Sequence, residues 1–128
     1  MYSDCYDDRA PAPRDEAFPA AQTPAEQLVR PCDIKGILHS HSRWADGAHS
    51  LSSMVATAQE IGLEYLGISD HFRSVAHPDG LDLQAAQVQR QEIERLRALN
   101  PSFDILQGIE LDVNPDGSLP VTDGDLTW

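Results

Sequence analysis

The chain is poor in cysteine and has no long hydrophobic run. Its two cysteines among 128 residues, Cys5 and Cys32, are too few for a disulfide scaffold and are not spaced as metal ligands. No segment approaches the roughly 18 consecutive apolar residues of a membrane helix. The acidic N-terminus also lacks the apolar stretch of a secretory signal. These absences predict a cytoplasmic protein with no membrane partner.

Basic residues are scarce as well. Nine Lys and Arg against 21 Asp and Glu leave a formal net charge of −12 at pH 7. This balance argues against autonomous nucleic-acid binding, because no basic face is present to displace counterions from phosphates. It remains compatible with an acidic metal site that handles phosphate, since bound divalent cations reverse the local charge.

The first quarter of the chain differs in composition from the rest. Residues 1–32 hold five of the nine prolines, together with alanines and acidic residues, and show no apolar periodicity. This composition is typical of a disordered linker or arm. We therefore predict that the folded domain occupies residues 33–128.

From residue 33 onward, strand-like and helix-like segments alternate. Short apolar runs predict strands at residues 33–39, 64–69 and 104–113, and helical spacing predicts helices at residues 51–61 and 83–100. The resulting β-α-β-α-β order predicts an α/β fold with parallel strands joined by right-handed crossovers.

Local signals define the helix ends. Ser50 is placed to cap the first helix, and Gly62 to end it in the left-handed conformation. Pro101 stops the second helix. The apolar side of that second helix is predicted to hold Ala86, Ile93, Leu96 and Leu99.

Side chains that can bind metal ions follow each predicted strand. His39 and His41 end the first strand, with Asp46 shortly after them; His71 follows the second strand, and Glu110 lies at the end of the third. In β/α architectures the reactive groups lie at the carboxyl ends of the strands. Residues two apart on a strand share a face, so both histidines of the first strand can bind the same ion. Imidazole together with carboxylate suits Zn, Mn or Fe.

Other polar residues near these segments receive different interpretations. Asp70 is placed to orient a ligand histidine. His49 and His77 lie near a turn or helix start and are expected to face solvent. Arg73, two residues after His71, is interpreted as an exposed loop arginine rather than a phosphate contact.

Three motifs, in order, resemble those of the polymerase and histidinol phosphatase (PHP) domain. The first motif of that family resembles residues 39–47 (HSHSRWADG), and the second resembles residues 64–71 (EYLGISDH). The third-strand motif resembles residues 108–112 (GIELD). Residues 114–119 (NPDGSL), and the proline-rich arm, are similar to the C-terminal PHP region of bacterial family X DNA polymerases.

The resemblance implies a β/α barrel that binds up to three divalent ions and acts as a phosphoesterase. In family X polymerases, which serve DNA repair, the implied activities are those of a 3′–5′ exonuclease and 3′-phosphatase on DNA 3′ ends. The implied ions are Mn or Zn, with Fe and Mg as alternatives, and Glu110 would bridge two of them. Phe72 and Ala45 depart from the motifs, but neither position is a ligand. The positions that match metal ligands are His39, His41, Asp46, His71 and Glu110.

Members of that family continue through later strands that supply further histidines and a final Asp-x-His, whereas this sequence stops at Trp128. The resemblance therefore implies only the N-terminal part of a PHP domain, a partial barrel. We expect the chain to be inactive alone, and either to self-associate or to need a complementing C-terminal half. Activity of the completed centre should fall below about pH 6.5, because histidine must be neutral to ligate.

Three alternatives remain open at this point. The substrate could be a small phosphate monoester such as histidinol phosphate. A metal-dependent amidohydrolase also begins with His-x-His, although Asp46-Gly47 and Gly108-Ile-Glu110 favour the PHP family. The third alternative is a non-catalytic fragment that binds metal and needs a partner chain.

Overall fold

The computed structural model describes residues 28–122 and Asp125. Contacts divide the chain into two units, Met1–Ile34 and Lys35–Trp128. Within the first unit the predicted arm ends in a short 3-10 helix, Pro31–Asp33, where an ion pair of 3.0 Å joins Arg30 to Asp33. The rest of the predicted arm, residues 1–27, lies outside the described residues, as does Cys5.

The second unit is built on a parallel sheet, and its α/β class agrees with the prediction. The sheet has three strands in the order β1-β2-β3, and both neighbouring pairs are parallel. Among the described residues, neither helix combines the length and apolarity needed to cross a membrane. The elements are β1 (Gly36–Ile37), α1 (Leu51–Glu60), β2 (Tyr65–His71), α2 (Leu83–Leu99) and β3 (Asp104–Glu110).

The hydrophobic core lies between the sheet and its two helices. Alternate residues of the strands face the helices, so that Leu66, Ile68 and Ile105 are buried. Val55 of α1 and Ile93 of α2 pack into the same cluster. Burial of each such side chain contributes about 1.5–3 kcal/mol to stability.

The helix termini follow the local chemistry of the chain. Ser50 Oγ accepts a hydrogen bond from Ser53 N over 3.3 Å, and Gly62 adopts a φ of +84° just after α1, so both predicted signals are confirmed. Asp82 caps α2 by accepting from Ala85 N over 2.8 Å.

One core prediction for α2 is wrong. Leu99 is 77% exposed, whereas Phe103, just beyond the helix, is buried in the core cluster. Leu99 is the last residue of the helix, and the chain turns at Asn100, whose Nδ2 donates to Leu96 O over 2.8 Å. The apolar period therefore stops one turn earlier than the sequence pattern suggests.

The strand bounds also differ from the prediction. β1 has only two residues and β3 ends at Glu110, while β2 extends to His71. Residues 38–40 still run beside β2, because Ser69 N donates to Ser40 O over 2.8 Å and Ser69 Oγ donates to Leu38 O over 3.2 Å. These contacts lie outside the regular ladder, and they place His39 and His41 near the carboxyl end of β2.

Candidate metal centre

All five predicted ligands meet at the carboxyl-terminal edge of the sheet. The parallel register pairs His71 of β2 with Glu110 of β3 at the last position of both strands. His39 and His41 follow β1 on the same edge, and Asp46 lies in the next loop. Residues that are up to 71 positions apart in the sequence therefore come into direct contact.

Three side chains form the first candidate ligand group. His39 Nε2 lies 3.1 Å from His41 Nε2 and 2.8 Å from Glu110 Oε2, and His41 Nε2 lies 3.2 Å from the same oxygen. Ligand atoms about 2.0–2.2 Å from one ion lie about 2.8–3.6 Å from each other, from octahedral to tetrahedral geometry. The three atoms are thus spaced as the corners of one metal coordination sphere.

A second candidate group shares His41 with the first. His41 Nδ1 lies 3.3 Å from Asp46 Oδ1, and His71 Nε2 lies 3.6 Å from Asp46 Oδ2. One atom from each of these three residues lies within 4.8 Å of the others. Glu110 stands between the two groups, because its Oε2 also approaches His71 Nδ1 to 3.7 Å.

The hydrogen-bonding state of His41 fits the role of a metal ligand. Its Nδ1 is buried and makes no hydrogen bond to any described residue, although the Asp46 carboxylate is close. Its Nε2 faces another imidazole nitrogen, that of His39. A buried polar atom without a partner costs about 1–3 kcal/mol. A divalent ion would satisfy such nitrogens, and a set of imidazoles and carboxylates suits Zn or Mn.

The electrostatics of the site favour the charged form of its central carboxylate. The hydrogen bond from His39 lowers the pKa of Glu110 below its usual value, and positive charge on His71, His39 and His41 lowers it further. Desolvation opposes this shift without reversing it. The deprotonated form is the one that can bind a metal ion.

Replacing His39 by alanine should raise the pKa of Glu110 toward its ordinary value. The folded-state pKa is lowered, so the associated stability is present above the unfolded pKa and is lost as the pH falls through the folded one. Carboxyl chemical shifts followed by NMR in the metal-free protein would measure the change. His49→Ala, which removes an exposed histidine, should leave the titration unaltered. An unchanged midpoint in His39→Ala would contradict the assigned hydrogen bond.

The loop that carries Asp46 depends on a glycine. Ser42 O accepts hydrogen bonds from Ala45 N over 3.1 Å and from Gly47 N over 2.9 Å, which folds residues 42–47 into a tight turn. A Cβ atom at Gly47 would lie 2.2 Å from His41 O. Only glycine permits this approach, and the turn places Asp46 beside His41.

Asp70 has a different role from the predicted one. It is fully buried, and its partners are Ser42 and Gln89 rather than a ligand histidine. Asp70 Oδ1 accepts from Ser42 N over 2.5 Å, while Oδ2 accepts from Ser42 Oγ over 2.6 Å and from Gln89 Nε2 over 2.5 Å. Gln89 Oε1 in turn accepts from Gln107 Nε2 over 3.0 Å. This polar network ties the loop after His41 to α2 and β3.

The remaining predicted residues divide into confirmed and corrected assignments. His49 is exposed, as expected. Arg73 is also exposed, and it lies 3.5 Å from Asp82. The prediction for His77 is wrong, since its ring does not simply face solvent but stacks on His71 with 3.5 Å between centroids. This contact joins a loop to a strand end, so no local sequence signal could have found it.

The three motifs that converge on this edge lie within residues 38–123, which match the sequence profile of the PHP domain. The chain belongs to the PHP domain family, as the motif resemblance predicted. It is also similar to the DNA polymerase/3′-5′ exonuclease PolX of Bacillus subtilis (strain 168), with 38% identity over 97 residues. The match covers 76% of this chain and 17% of that protein, so the chain spans about a sixth of the length of this relative.

Proposed function

We propose that the chain contributes the metal centre of a phosphoesterase that hydrolyses the 3′ ends of DNA. The observation that carries this proposal is the convergence of five metal-capable side chains at one sheet edge of a PHP domain. They are His39, His41, Asp46, His71 and Glu110.

The geometry supports a division of these ligands between two ions. His39 and His41 would hold the first ion together with Glu110, while Asp46 and His71 would hold a second. Glu110, whose Oε2 lies 3.2 Å from His41 Nε2 and 3.7 Å from His71 Nδ1, would be shared between the two ions. Divalent Mn or Zn would supply Lewis acidity there, activating water and withdrawing charge from the phosphoryl oxygens.

Residues of the chain would hold the ligands in position and keep the central carboxylate charged. Asp70 holds the loop after His41 through Ser42, so the ligands on either side of that loop keep their spacing. Glu110 is kept deprotonated by its histidine neighbours. A net charge of −12 repels phosphate, so substrate binding would depend on the bound cations.

The relative's name supports the choice of substrate. That protein is a polymerase and a 3′-5′ exonuclease, which favours a nucleic-acid 3′ end over histidinol phosphate. The proposal also requires that the three-stranded sheet form part of a PHP-type barrel. In the described residues β1 and β3 each pair only with β2, so closure would take further strands, in cis or on a complementing chain.

Metal-gated binding of a DNA end tests the proposal. With Mn²⁺, a 3′-phosphorylated oligonucleotide should bind the chain at least about tenfold more tightly than with EDTA, because cations must offset the acidic surface. Fluorescence anisotropy would measure the affinity. Glu110→Gln should abolish the metal effect, whereas Glu64→Gln, which alters an exposed glutamate, should preserve it.

Two outcomes would contradict the proposal. Binding of equal strength with Mn²⁺ and with EDTA would show that the metal centre does not recognise the phosphate. Displacement of the oligonucleotide by histidinol phosphate at lower concentration than by unlabelled 3′-phosphorylated DNA would favour the small-molecule phosphatase instead.

A further inference from the structure

A fourth histidine lies against the metal centre but belongs to neither ligand group. His77 is part of the loop between β2 and α2, and its ring stacks on that of His71. The centroids are 3.5 Å apart and the ring planes differ by 10°. His71 is itself largely buried, with 13% of its side chain exposed. The stack therefore covers one face of a proposed ligand.

The loop holds His77 in place through its backbone. His77 N donates to Ser74 Oγ over 3.1 Å, and His77 O accepts from Ser74 N over 3.1 Å and from Gly80 N over 3.0 Å. Ser74 Oγ also donates to the carboxylate of Asp112, which lies just beyond β3. A chain of contacts thus connects the third strand, through Ser74, to the position of the His77 ring.

His71 needs an orienting contact of this kind. The carboxylates that face its nitrogens are 3.6 Å away at Asp46 and 3.7 Å away at Glu110, which is beyond hydrogen-bond distance. Metal-binding histidines are usually oriented by a hydrogen bond from their second nitrogen. The close contacts of the His71 ring are instead made by two other rings. The His77 ring stacks on it, and the His41 ring lies against it at an interplanar angle of 45°.

We propose that His77 is a positioning residue that fixes the ring plane of His71 by stacking, so that the two His71 nitrogens face Asp46 and Glu110. This inference rests on the proposed metal-binding function. It assigns to His77 a role that depends on a flat ring and not on a ring nitrogen. A flat side chain without nitrogens should therefore replace it.

Three variants of the full chain separate this role from others. His77→Ala removes the stacked ring, and His77→Phe retains a flat ring without nitrogens. His49→Ala is the matched control, because it also removes one histidine but one that is exposed. Zn²⁺ affinity by competition with a chromogenic chelator, and the visible spectrum of the Co²⁺-loaded chain, are the metal readouts. The NMR shifts of the His71 ring protons in the metal-free chain are a third readout.

Loss of an orienting contact typically weakens metal binding by 10–100-fold. We expect His77→Ala to bind Zn²⁺ about tenfold more weakly, with an altered Co²⁺ spectrum and shifted His71 ring protons. His77→Phe should bind within about twofold of the parent, and His49→Ala should match the parent. Circular dichroism would show that each variant is folded.

The outcomes distinguish the inference from the proposed function. If the parent binds Zn²⁺ and His77→Ala binds it equally well, His77 does not position His71. If His77→Phe loses as much affinity as His77→Ala, a ring nitrogen is required and the stacking role is overturned. If the folded parent binds no Zn²⁺ at all, the proposed function itself fails, and the inference fails with it.

Discussion

Replacing both His39 and His41 by alanine should abolish Zn²⁺ and Mn²⁺ binding by the chain. The double variant leaves Glu110 as the sole member of the first group and removes the histidine that the second group shares. Only Asp46 and His71 then remain in the second group. Two ligands bind an ion more weakly than three or four, because affinity depends on ligand number and geometry. Isothermal titration calorimetry at neutral pH would measure the loss, which should exceed about a hundredfold.

The control for this experiment is His49→Ala, which should bind like the parent because His49 is exposed and belongs to neither group. The fold of the double variant should be retained, since the side chain of His39 is 63% exposed and that of His41 is 24% exposed. Metal binding by the double variant at parental affinity would place the site elsewhere in the chain.

Replacing Asp70 by alanine should destabilise the fold by about 3–5 kcal/mol, because three buried hydrogen-bond donors lose their acceptor at once. The substitution leaves Ser42 N, Ser42 Oγ and Gln89 Nε2 without their acceptor in the interior. Each unsatisfied buried donor costs about 1–3 kcal/mol. Urea denaturation followed by circular dichroism would give the change in the free energy of unfolding.

Asp104→Ala is the matched control, because it removes an exposed aspartate from the first position of β3. Its effect should stay within about 0.5 kcal/mol. Asp70→Asn should be intermediate, since the amide keeps one acceptor but turns a donor toward other donors. A loss below about 1 kcal/mol in Asp70→Ala would show that the polar network does not hold the loop.

The sequence was most informative where short-range patterns decide the structure. Helical spacing and the signals at Ser50 and Gly62 located α1, and apolar runs located β2 and β3. The parallel order then predicts that strand ends coincide, which is why His71 and Glu110 could be expected at one edge. Both inferences depend only on neighbours in sequence and on the geometry of parallel strands.

Contacts between distant segments could not be predicted in the same way. The partners of Asp70 come from a loop and from α2, so its burial depends on packing that no periodicity reveals. The stack of His77 on His71 depends on the path of an irregular loop. β1 is shorter than its apolar run suggests, because residues 38–40 bond to β2 outside the regular ladder.

Anomalous diffraction from crystals of the chain grown with Zn²⁺ tests the central claim most directly, because it locates the ion without reference to activity. The account predicts an anomalous peak within about 2.0–2.2 Å of His39 Nε2, His41 Nε2 and Glu110 Oε2, the distances at which Zn²⁺ binds nitrogen and oxygen ligands. A folded chain whose strand-end cluster shows no peak at saturating Zn²⁺, or whose peak lies away from these three residues, would contradict it.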